Sequence, residues 1–154
     1  GVREIVALRG APPRGTGAFA PHPGGFTDAC DLITALAARE QFHIRVGAYP
    51  EPHPEAPDTA ADVAWLTRKI DAGAHSAITQ FFFEADTFFR FRDACVAAGI
   101  DAPIIPGILP IENWRGVQKF ATRCGAHVPG WLADAFEKAE RDGRSDLLAT
   151  AVCT

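Results

Sequence analysis

The chain reads as an α/β protein, and three observations predict it. Four apolar runs rich in β-branched residues recur at 4–8, 43–48, 76–82 and 103–109, at intervals of roughly 30 residues, the length of a strand–helix–strand unit. Helical patterns lie between them, and glycines close helices shortly before the next run begins. The runs are continuously apolar rather than alternating, which predicts parallel strands covered on both faces. Two architectures fit: a doubly wound open sheet, and part of a (β/α)8 TIM barrel. A whole barrel takes about 250 residues, whereas these 154 residues supply four strands. The chain opens on a strand, stops in a helix and contains no Met, even at position 1. The expectation is therefore a partial (β/α)8 domain over 1–154, holding about four central-to-late units and lacking the N-terminal strands and the last strand.

Each helix has its own signal. Residues 31–39 set Leu32 and Leu36 among alanines. Residues 59–72 carry Val63, Leu66 and Ile70 at helical spacing, with Thr59 and Asp62 as a capping-box-like start and Gly73 as the stop. Residues 86–98 carry Phe88, Phe91 and Cys95 before Gly99. Trp114, Val117 and Ala121 mark a fourth helix, Leu132, Ala135, Phe136 and Ala139 a fifth, and 146–152 begin a sixth. No linker, repeat or low-complexity tract divides the chain.

Composition excludes several classes. The balance of 47% hydrophobic and 22% charged residues is that of a soluble globular domain. A net charge of −4 argues against nucleic acid as a partner. No apolar run reaches the roughly 20 residues that cross a bilayer, and the N-terminus carries no signal-peptide pattern. Cys30, Cys95, Cys124 and Cys153 form no CxxC pair. Reduced thiols, mostly small core residues, in a cytoplasmic protein are expected.

The candidate site lies at the strand ends, where open and closed parallel sheets hold their ligands. After the second run come Tyr49-Pro50-Glu51-Pro52-His53-Pro54-Glu55. Alternating prolines keep this segment extended, so Glu51, His53 and Glu55 share a side. A metal site there lacks any further His or Cys at matching spacing, and a rigid loop carrying Tyr49 and His53 to a ligand is the better reading. Arg68-Lys69 reads as the solvated side of its helix; with Asp62 the pair is also suited to the sugar and phosphates of a nucleotide. Gln80 ends the third run, and its amide both donates and accepts, as the edge of a pterin or flavin does. Gly15-Thr16-Gly17-Ala18-Phe19-Ala20 matches GxGxxA, but Pro12, Pro13, Pro21 and Pro23 around it forbid the helix that a dinucleotide fingerprint requires. It reads as a loop. Phe120 on an amphipathic helix reads as core.

Taken in order, Val6-Ala7-Leu8-Arg9-Gly10, Ala48-Tyr49-Pro50-Glu51, His53-Pro54-Glu55-Ala56, Arg68-Lys69 through Asp71-Ala72-Gly73-Ala74, Ile78-Thr79-Gln80-Phe81-Phe82-Phe83 and Ile104-Ile105-Pro106-Gly107-Ile108-Leu109-Pro110 resemble the methylenetetrahydrofolate reductase family over nearly the whole chain. The resemblance implies an FAD-containing (β/α)8 barrel. Such an enzyme passes a hydride from NADH or NADPH to the flavin and on to 5,10-methylenetetrahydrofolate, giving 5-methyltetrahydrofolate. It implies FAD contacts from Arg9, Gly10, Ala29, Tyr49, His53, Asp62, Arg68 and Lys69, with Ala74 fixing the start of the next strand near the nucleotide. It also implies a hydrogen bond from Gln80 to the folate pterin, and stacking of Phe120 on the folate tail or nicotinamide nucleotide. A cytoplasmic homo-oligomer with a folate substrate, no bound metal, no nucleic acid and no membrane follows from the same resemblance.

Departures matter as well. Ala11 stands where the family usually has Asp, Asp28 where a Tyr is common, and Trp65 where a smaller polar FAD contact is common. The general-acid Glu belongs to a part of the barrel outside these residues, so the chain alone is expected to be an incomplete site. Two alternatives stay open: a related flavin oxidoreductase with altered substrate use, and a non-catalytic half-barrel that serves as a binding or assembly module.

Overall fold

The computed structural model describes residues 1–10 and 19–153. Among them lie four strands, β1 (Glu4–Ala7), β2 (His43–Ala48), β3 (Ser76–Phe81) and β4 (Ile104–Gly107). The helices are α1 (Ala29–Ala37), α2 (Thr59–Asp71), α3 (Ala85–Ala97), α4 (Trp114–Cys124), α5 (Gly130–Arg141) and α6 (Ser145–Cys153). Each predicted element exists, with ends that coincide or shift by no more than two residues.

The strands are all parallel and lie in the order β1-β2-β3-β4. Every strand therefore neighbours its successor, with no reversal of order. Register then sorts the side chains. Ala7, Val46, Ala77 and Ile104 line up across the sheet. With Ile44 and Ala48 they pack against Ala29 and Ile33 of α1, Val63 and Leu66 of α2, and Phe91 and Cys95 of α3. Neighbouring strand residues point the other way, and on that face Val6 is 51% and Leu8 56% exposed. Helices α1, α2 and α3 thus share one face, which is the singly wound arrangement of a barrel segment and not the doubly wound alternative. The expectation that both faces are covered is corrected: among the described residues no helix packs on this face, and it is open at Val6 and Leu8.

The helix starts are set by side chains. Asp28 caps α1 by accepting from the Cys30 and Asp31 N–H groups, and Asn113 caps α4 through the Gly116 N–H. Asp58, not Thr59, caps α2, accepting from the Ala61 N–H at 2.8 Å. The expected capping box is therefore absent, and Asp62 is released for another task. Gly107 enables a close approach at an irregularity between β3 and β4. A Cβ there would run into the Thr79 carbonyl oxygen, while the Thr79 hydroxyl accepts the Gly107 N–H at 2.9 Å.

Beyond β4 a second core forms. Ile111, Trp114, Val117, Leu132 and Phe136 are buried together, with Trp114 and Phe136 stacked at 4.3 Å between ring centroids. Of the cysteines, Cys95 alone is fully in the core; Cys30 and Cys124 are half-buried and Cys153 is exposed. The expectation that most are core residues is corrected accordingly.

Candidate functional site

A cavity of about 850 Å³ opens at the C-terminal ends of β1 and β2. Its walls come from Ala7 to Gly10 after β1, Phe19, the start of α1 at Thr27–Ala29, the proline loop from Tyr49 to Pro57, the first turns of α2, and Arg123 at the end of α4.

The proline loop is fastened at several points. Asp62, buried on α2, accepts the His53 N–H at 2.8 Å. This bond takes the place of the predicted cap. Burial holds the Asp62 carboxyl above the usual aspartate range, with the His53 N–H opposing that rise. Glu55 forms a two-pronged ion pair with Arg9, at 2.9 and 3.2 Å, which ties the end of β1 to the loop. That bond holds the Glu55 carboxyl below the glutamate range. Glu51 accepts the His127 N–H at 3.0 Å, anchoring the loop to the α4–α5 connection. His53 and Glu55 keep to one side, both lining the cavity, with the His53 Nδ1 accepting the Glu55 N–H at 3.1 Å. Glu51 turns to His127 instead, so the shared side read from the prolines is corrected for Glu51. Among the described residues, no group of three or more His, Cys, Asp or Glu is placed to hold a metal.

Tyr49 and His53 meet edge to face, with centroids 4.6 Å apart. Burial raises the Tyr49 phenol above its ordinary range, and Asp62 adds to the rise. Lys69 lies 5.8 Å from the centre of the Tyr49 ring. It is only 6% exposed, so its reading as a solvated helix side is corrected. Its ammonium donates to the Gly47 carbonyl at 2.8 Å, and burial lowers its pKa below that of an ordinary lysine. Arg68 remains exposed and lies over the Trp65 ring at 4.5 Å, outside the cavity wall that Trp65 helps form.

Arg9, Gly10, Asp28, Ala29, Tyr49, His53, Asp62, Trp65 and Lys69 are therefore brought together around one space. Others are not. Ala74 precedes β3, on the opposite rim of the parallel sheet, where its N–H bonds the Lys69 carbonyl at 3.1 Å. Gln80 is near the C-terminal end of β3, its amide oxygen accepting the adjacent Phe81 N–H. Phe120 stacks on Phe81 at 5.4 Å between centroids and is 42% exposed, so it is an open aromatic face and not the core residue its pattern predicts. Ala11 and Gly15–Ala18 of the glycine-rich segment lie outside the described residues. Sequence reasoning missed Glu55 as the partner of Arg9, and Arg123 as a wall of the cavity. No local pattern marks either, because their neighbours here are distant along the chain.

A singly wound parallel βα sheet with a charged cavity at its strand ends is the arrangement of a (β/α)8-type segment. The chain belongs to the methylenetetrahydrofolate reductase family, whose profile matches residues 1–151. It is 48% identical over 151 residues to the 5,10-methylenetetrahydrofolate reductase of Escherichia coli (strain K12), covering 98% of this chain and 49% of the relative. With the enzyme of that name from Pectobacterium carotovorum subsp. carotovorum it shares 49% identity over 144 residues, 92% of this chain and 46% of the relative. A plant protein, methylenetetrahydrofolate reductase (NADH) 1 of Arabidopsis thaliana, is 38% identical over 148 residues, 89% of this chain and 25% of the relative. The chain thus spans about half the length of the bacterial relatives.

Proposed function

We propose that this chain is the flavin-holding part of an enzyme that reduces 5,10-methylenetetrahydrofolate to 5-methyltetrahydrofolate, with NADH or NADPH as hydride donor. The observation that carries the reading is the gathering of Arg9, Tyr49, His53, Asp62, Trp65 and Lys69 around one cavity, together with the family match. The residues fit FAD on their own chemistry. A buried ammonium suits a phosphate, a buried carboxylate suits ribose hydroxyls, and the flat rings of Tyr49 and Trp65 suit a heteroaromatic ligand. When bound, FAD supplies the hydride chemistry that the protein side chains lack.

The chain's own residues bind and orient. Lys69 is held by the Gly47 carbonyl against the Tyr49 ring, so its charge is fixed in place before a ligand arrives. Asp62 fixes the loop that carries His53. Arg68 braces Trp65 from outside. Gln80 and Phe120, near the neighbouring strand end, serve the folate substrate or the nicotinamide nucleotide. Asp28 spends its carboxylate on the first turn of α1, so its role at this position is to cap a helix. The general acid is supplied from outside these residues, so the chain alone is an incomplete site. We place the protein in the cytoplasm, as a homo-oligomer; among the described residues no helix is long and apolar enough to cross a membrane.

The test is a visible absorption spectrum of the longest natural product that carries this chain. A flavin spectrum, bleached by NADH and restored by methylenetetrahydrofolate, is the expected outcome. A colourless protein that cannot be reconstituted with FAD refutes the reading. Among the described residues, the exposed Val6 and Leu8 and the unpaired outer edges of β1 and β4 favour a second reading, a half-barrel that assembles with another chain. A flavin-free oligomer would support it.

A further inference from the structure

We propose that Arg123 receives a phosphate of the dinucleotide held in the cavity. The inference rests on the flavin reading above and assigns to that site a contact made by α4. The cavity wall contains the cations Arg9, Lys69 and Arg123. Arg9 is already engaged by both oxygens of Glu55. Lys69 donates a hydrogen bond to the Gly47 carbonyl and shares its surroundings with Asp62, whose charge acts on it. The Arg123 guanidinium has no hydrogen bond or ion pair among the described residues. A pyrophosphate carries two negative charges, and Lys69 answers one of them. Among the described residues of the wall, Arg123 is the cation left to answer the other.

Its position is set by packing. α4 ends at Gly125 in a left-handed conformation, φ 72°. A Cβ at Gly125 would lie 3.3 Å from the Pro52 carbonyl oxygen and 3.4 Å from the Pro54 ring, so the end of α4 sits directly on the proline loop. The bond from the His127 N–H to Glu51 holds the same contact just beyond. Arg123 is thereby carried to the rim formed by Pro54 and its neighbours. A planar guanidinium suits a phosphate there, since two parallel N–H donors match two oxygens.

The experiment compares FAD with riboflavin, which lacks the phosphates, in the intact protein that carries this chain. Binding is read from flavin fluorescence for the wild type, Arg123→Ala and Arg123→Lys. Arg123→Ala is expected to weaken FAD about tenfold, the scale of one charge-assisted contact at a partly open site, with riboflavin unchanged. Arg123→Lys should recover part of the loss, and the FAD affinity of Arg123→Ala should depend less steeply on salt. Unchanged FAD affinity in both variants overturns the assignment and leaves the flavin reading standing. Equal losses for FAD and riboflavin mean a distorted cavity and overturn it too, as does an effect confined to the KM of the nicotinamide or folate substrate. A wild type that binds no FAD sinks the flavin reading, and this inference with it.

Discussion

The two ends of this sheet's mouth are built from different materials. Beside β1 and β2, polar links fasten the structure: Arg9 to Glu55, Asp62 to the His53 N–H, and Lys69 to the Gly47 carbonyl. Beside β3 and β4, aromatic rings do so: Phe81 on Phe120, Phe83 against Trp114, and Trp114 on Phe136. The polar side surrounds a cavity, whereas the aromatic side fills its own space except at Phe120, which stays open. Charge left in a hollow is arranged for a ligand. Rings stacked on each other are arranged for stability. Substitutions on the two sides should therefore be read out in different measurements.

The largest expected effect is on the aromatic side. Phe136 is buried on α5 against Trp114. Phe136→Ala should cost about 3–5 kcal/mol, from lost transfer energy and the cavity left behind. Denaturant unfolding of the intact protein measures it. Flavin affinity under folding conditions should stay near that of the wild type. A mutant of normal stability with impaired flavin binding would reverse the proposed division.

Lys69→Met tests the polar side. Losing the fixed positive charge should weaken binding of an anionic flavin nucleotide by at least tenfold, while riboflavin is little affected. Stability should change by only about 1 kcal/mol, because relief from burying a charge offsets the unpaired Gly47 carbonyl. The wild type also has a signature in pH. Burial holds the Lys69 pKa below 10.5, so FAD affinity should fall as pH rises through that lowered value. Lys69→Met should lack that fall. A large loss of stability with unchanged affinity would place Lys69 among the structural residues.

The same contrast explains what the sequence reveals. Strand order and helix positions are legible because each apolar run and glycine stop is a local signal. Tyr49 and His53 are legible because prolines hold them at a strand end. Lys69 is not: a lysine beside an arginine in an amphipathic helix looks solvated, and only the carbonyl of a neighbouring strand shows why it is buried. Asp62 is misread for the same reason, its partner lying across the loop. The open face is instructive too. Continuous apolar strands report that a face suits burial, but Val6 and Leu8 remain about half exposed among the described residues.

Glu55→Gln has a smaller effect and sharpens the account of the loop. Both groups of the Arg9–Glu55 pair are partly open to solvent, so the pair contributes no more than about 1 kcal/mol. The sign of its pH dependence is fixed. Arg9 holds the folded Glu55 pKa below 4.5, so the unfolded chain takes up the proton first. The stabilisation is present above that ordinary value and is lost as pH falls through the lower, folded one. The stability difference between wild type and Glu55→Gln should therefore shrink as the solution is acidified below about pH 4.5. A difference that is constant with pH would show that the pair is not formed in solution.

The last test changes no residue and concerns the ground beneath the cavity. Cys95 is buried in the core that supports the polar side, and burial pushes its thiol up to about 11. Cys153 is exposed on α6. Because the thiolate is the reacting form, alkylation of native protein near pH 8 should label Cys95 on the order of a hundredfold more slowly than Cys153. Cys30 and Cys124 are half-buried, with burial raising both thiols, and should fall between. Mass spectrometry of the labelled peptides gives the order. Rapid labelling of Cys95 would mean that α3 opens from the sheet under native conditions. The polar links would then rest on a mobile base, and the rigid positioning of Lys69 and His53 would lose its support.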